Sequence, residues 1–105
     1  LKMISENTKK EVIKKFEELT GITGLNYELV TKQSYDKREL NYLVAQIPPF
    51  MLGIMGNNMK DVELSIYVED TWFSAKINYA HKDGGYNSMS VMVADGSRRA
   101  EGNIG

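Results

Sequence analysis

The apolar positions in the second half of the chain change parity between residues 68 and 73, and this switch restricts the fold more than any other feature. Val62, Leu64, Ile66 and Val68 are even-numbered, whereas Phe73, Ala75, Ile77 and Tyr79 are odd-numbered. Side chains of a strand alternate between its two faces, so one straight strand cannot present both sets to one core. A hairpin with Asp70 and Thr71 at its tip reconciles them by setting Val68 opposite Phe73, Ile66 opposite Ala75 and Leu64 opposite Ile77. The same reasoning reaches one strand further. If His81 to Gly85 is a loop, with Asp83, Gly84 and Gly85 supplying the turn, then Ile77 faces Met89, Ala75 faces Val91 and Phe73 faces Val93. The expectation is a three-stranded antiparallel meander with one apolar face.

Upstream, residues 8–20 read as an amphipathic helix. Thr8 and Glu11 have the spacing of a capping box, and Val12, Ile13, Phe16 and Leu19 fall on one stripe. Gly21 ends the helix and places Ile22 to fold back on Phe16. Leu25, Tyr27 and Leu29 then alternate with more polar neighbours, and Leu40 to Ile47 is apolar on both faces apart from Asn41 and Gln46. The polar run from Gln33 to Glu39 separates them, which predicts an antiparallel pair with the second strand more buried. Pro48 and Pro49 forbid continuation of a central strand, so the apolar stretch after them is expected to be a short helix or loop ended by Gly56. The resulting fold class is α+β: an N-terminal helix packed on a mainly antiparallel sheet of about five strands, closing with the meander. Residues 1–94 are expected to form one domain and 95–105, with Gly96, Ser97, Arg98, Arg99 and Gly102, a C-terminal tail. A chain that opens on Leu1 and closes on Gly105 in such a stretch is expected to be trimmed from a longer one.

With 42% hydrophobic and 26% charged residues among 105, the chain has enough apolar content for a packed core. It has no cysteine, which excludes disulfides, thiolate metal sites and cysteine nucleophiles. No segment approaches the ~20 apolar residues of a spanning helix, and the amino end lacks a secretory core, so a cytoplasmic protein without a membrane partner is expected. Enzyme readings lack parts. His81 is the one histidine and sits in a glycine-rich turn. Ser88 and Ser90 have no histidine placed near them, and Glu63 and Glu69 on one strand face lie about 20 Å apart. No catalytic residue, cofactor or metal is therefore expected.

The charge balance, 13 basic against 14 acidic residues for a net −1, gives no whole-molecule attraction for nucleic acid. Lys32, Lys37 and Arg38 around the first loop and Arg98 with Arg99 in the tail are two small patches. One long helix followed by strands also departs from the strand and helix alternation of RNA-recognition motifs.

The meander register defines an outer sheet face on which Trp72, Tyr67 and Met92 converge among small polar residues. Aromatics and methionine with few charges match the composition of interface cores. A second apolar surface comprises Phe50, Met51 and Met55 with Leu52 and Ile54. Cover from the first hairpin, the apolar segment or the tail competes with the first reading, and packing over a sheet end competes with the second. The function expected is a small non-enzymatic protein-binding module, of accessory or inhibitor type, that occupies a partner surface through Tyr67, Trp72, Met92, Phe50, Met51 and Met55. A nucleic-acid module using the basic loops is the alternative, followed by an enzyme with an unfamiliar site. Open sheet edges also suit pairing with a second copy as a homodimer.

Overall fold

The computed structural model describes residues 4–69, 72–93 and 100–104, with the backbone alone for 86–93 and 100–104. Helix α1 spans Glu6–Thr20 and starts two residues before the expected position. Ser5 is its N-cap, the hydroxyl accepting from the Thr8 N–H at 3.1 Å. Thr8 is thus the residue capped and not the cap of a box with Glu11; both positions carry a short hydroxyl, and the spacing alone did not separate them. Gly21 stops the helix as expected, at a left-handed φ of 75° with its N–H donating to the Glu17 carbonyl at 2.8 Å.

The strands follow as an antiparallel sheet in chain order: β1 Glu28–Gln33, β2 Glu39–Gln46, β3 Met59–Glu69, β4 Trp72–His81, β5 Tyr86–Val93 and β6 Ala100–Ile104. A 3-10 segment, Pro49–Asn58, joins β2 to β3. The α+β class, with an N-terminal helix and an antiparallel sheet, agrees with the sequence reading, but the count of five strands does not. Four strands, β1 to β4, carry described side chains, and the backbone extends the sheet through β5 and then β6, which falls within the stretch read as a tail. The rest of that stretch, 95–99 and 105, and the turn residues Asp70 and Thr71 lie outside the described residues.

The meander register is the one derived from parity: Leu64 pairs with Ile77 and Ile77 with Met89, flanked by Val68 with Phe73 and Phe73 with Val93. Two details differ. β4 continues through His81, and β3 carries a bulge between Lys60 and Glu63, with Asp61 at a φ of 52°. The extra residue inverts parity, so Met59 and Val62 both turn into the core, 4% and 2% exposed. β1 starts at Glu28, so Leu25 and Tyr27 pack on the core from the connection that precedes it.

Val12 and Phe16 of α1 meet Leu43, Leu64, Ile66, Phe73 and Ile77 in one buried cluster. Ile13 and Leu19 flank Phe16 by about 60° on either side at 100° per residue. Ile13 packs on the cluster, whereas Leu19, expected to be covered, is 37% exposed. The sheet covers the centre of the helical stripe and one flank of it.

Candidate interaction surface

The odd positions of β2 and β4 and the even positions of β3 beyond its bulge are committed to α1 and the core, so the opposite parity faces away. Every described side chain on that outer face of β1 to β4 is half-buried or exposed, and none is buried. No described element lies over it: β1 and β2 continue the sheet edge-on, so the first hairpin does not cover Trp72.

Register brings three aromatic side chains together there. Tyr42 of β2 pairs directly with Tyr67 of β3, and Trp72 sits two pairs along on the same face, opposite Glu69. The Tyr42 and Tyr67 ring centroids are 5.4 Å apart at 49°, and those of Tyr67 and Trp72 are 5.5 Å apart at 68°. These tilted and edge-to-face contacts lock the rings against one another. Lys32 of β1 extends the row, its Nζ 5.2 Å from the Tyr42 ring centroid. The Tyr67 hydroxyl donates to the Glu69 carboxylate, and this bond, with burial second, pushes the phenol pKa up to about 12. At neutral pH Tyr67 is therefore a fixed, protonated group, unsuited to act as base or nucleophile. Trp72, at 39% exposure, forms the open end of the row.

Of the residues singled out from sequence, Tyr67 and Trp72 are thus adjacent. Met92 takes the register position opposite Ser74, beside the row, but its side chain lies outside the described ones. Phe50, Met51 and Met55 belong to a separate patch at the other end of β3, eight residues from Tyr67 along the strand or about 26 Å. That segment does not pack over the sheet end as a unit. Leu52 alone seats on the core, while Phe50 and Ile54 are 78% and 88% exposed and Met51 and Met55 are 36% and 42%. Gly53, at φ 65° and ψ −143°, divides it into two turns, and the Met51 N–H donates to the Pro48 carbonyl at 3.0 Å.

The basic cluster of the first turn is partly neutralised within it. Arg38 pairs with Asp36 at 3.1 Å, and Asp36 also accepts from the Ser34 hydroxyl, which holds the carboxyl below its ordinary value. Arg98 and Arg99 lie outside the described residues. His81 ends β4 with its ring edge-on to Tyr79, centroids 5.3 Å apart. Among the described residues no group of three or more His, Cys, Asp or Glu could hold a metal ion, and no described helix is long and apolar enough to cross a membrane.

Tyr42 escaped the sequence reading, and Lys32 enters it only as part of the basic cluster of the first loop, not as a neighbour of the aromatic row. Their place beside Tyr67 depends on the β2–β3 register, which is set across the twelve residues 47–58 and not by a tight turn. The available signal was the parity of Leu43 and Ala45, which puts Tyr42 on the face opposite them. No protein-family model, curated protein or solved structure matches the chain.

Proposed function

We propose that the chain is a small non-enzymatic protein-binding module that occupies a partner surface with the outer face of its sheet, through Tyr42, Tyr67 and Trp72. The observation that supports this reading is the interlocked aromatic row on a face that no described element covers. Rigid aromatic anchors contribute most binding energy per residue because little conformational freedom is lost when they are buried. Met92 extends this patch, while Phe50, Met51 and Met55 form a second, separate contact. Single-stranded nucleic acid fits the row less well. Bases stack on open ring faces, whereas these rings are inclined to one another at 49° and 68°, and Glu69 places negative charge beside them.

Trp72→Ala tests the reading. Proteins captured by the immobilised wild-type chain at high salt are expected to bind the variant more weakly by about 2 kcal/mol or more, roughly thirtyfold in Kd. Unfolding stability should change by less than about 1 kcal/mol, since the side chain lies outside the core. Capture unaffected by the substitution would reject the site. Affinity for bulk RNA or DNA that falls steeply with salt would favour the nucleic-acid alternative.

A further inference from the structure

β1 ends the sheet on one side: it pairs with β2, and no described strand lies along its other edge. Across the turn the Ser34 N–H donates to the Arg38 carbonyl at 2.9 Å. Hydrogen bonding alternates along an antiparallel ladder, so the even residues of β1 aim their main-chain groups at β2 and the odd residues Leu29, Thr31 and Gln33 aim theirs at the open edge. The strand is six residues long, without proline and without a break in register, and such an edge is a ready template for another strand.

Its side chains select which strand. A two-fold axis perpendicular to the sheet keeps both cores on one side and must pass through a residue, because side chains directly opposite each other share a face. Centred on Val30, the axis sets Glu28 opposite the partner's Lys32 and Lys32 opposite the partner's Glu28, with Val30 meeting the partner's Val30 on the same face. Leu29 then faces the partner's Thr31, and both have main-chain groups aimed at the open edge. Centring on Leu29 or Thr31 loses both charge pairs. We propose that this edge recognises a second copy of the chain, forming a two-fold dimer through antiparallel β1 pairing centred on Val30. The sheet then runs through both copies, and the two aromatic rows lie on one continuous face. The inference concerns the edge and stands independently of the partner proposed for that face.

Charge reversal at the two exposed positions distinguishes this arrangement. E28K sets lysine against lysine twice and K32E sets glutamate against glutamate twice, and E28K also leaves the Lys32 contact with Tyr42 in place. Sedimentation of the 105-residue chain should show a concentration-dependent dimer, with each single variant weakened about tenfold or more. An equimolar mixture of the two variants, and the double variant E28K/K32E, should both recover dimerisation, because each restores opposite charges across the axis. Circular dichroism of each variant establishes that it is folded. A wild type that stays monomeric at millimolar concentration would overturn the proposal. So would a dimer indifferent to either reversal, or a loss that neither the mixture nor the double variant repairs.

Discussion

Phe16→Ala is expected to remove about 3 to 5 kcal/mol of folding stability, the cost of emptying a large buried aromatic site. Phe16 is 0% exposed and stands at the centre of the stripe by which α1 joins the sheet, in the same cluster as Leu43, Leu64, Ile66 and Phe73. A helix of 15 residues is marginal on its own, so α1 depends on this contact more than on its propensity or its Ser5 cap. Domains of this size are stable by roughly 5 to 15 kcal/mol, which makes the loss a large fraction of the total. Leu19→Ala, on the uncovered flank, should stay within about 0.5 kcal/mol of the wild type. Denaturant unfolding followed by far-ultraviolet circular dichroism measures both. A loss below about 1 kcal/mol for Phe16→Ala would mean that the helix does not pack on the sheet as described.

Gly56→Ala should cost about 3 kcal/mol, the upper end of what overpacking does. The position is buried, and its φ is not left-handed, so the requirement for glycine is one of space. A Cβ there would stand 1.8 Å from the Pro49 carbonyl oxygen and 2.7 Å from its carbon. Those are main-chain atoms that no rotamer change can move aside, so the two turns of the Pro49–Asn58 segment must separate. Leu52 would lose its seat on the core as they do. The neighbouring exposed Asn57, changed to alanine, should stay within about 0.5 kcal/mol. A midpoint for Gly56→Ala indistinguishable from that of the Asn57 variant would show that Pro49 and Gly56 do not meet.

The elements that could be read without coordinates are those specified by local contacts. The pairings of Leu64 with Ile77 and of Ile77 with Met89 follow from parity because tight connections join consecutive strands. The end of α1 is equally local, since Gly21 adopts a conformation that other residues resist. Features set by distant contacts or by unusual backbone were not legible. The bulge at Asp61 places a non-glycine residue at positive φ, and no alternation rule announces where parity will invert. Leu19 satisfies the helical period as well as Ile13 does, and only the sheet's extent decides which of them is covered. For the surface, Tyr67 and Trp72 come from the hairpin they share. Tyr42 and Lys32 join them through a register that depends on the folded Pro49–Asn58 segment.

Trp72 is the one tryptophan in the chain, so its fluorescence reports on the outer face without interference. Acrylamide quenching of the isolated protein, repeated with a captured partner bound, is the most direct measurement of whether that face is open in the monomer and closed in a complex. The expected result is ready quenching in the free chain, in keeping with a side chain 39% exposed, and marked protection in the complex. A tryptophan already shielded in the free monomer, or one quenched equally with the partner bound, would contradict the assignment of the aromatic row as the binding surface.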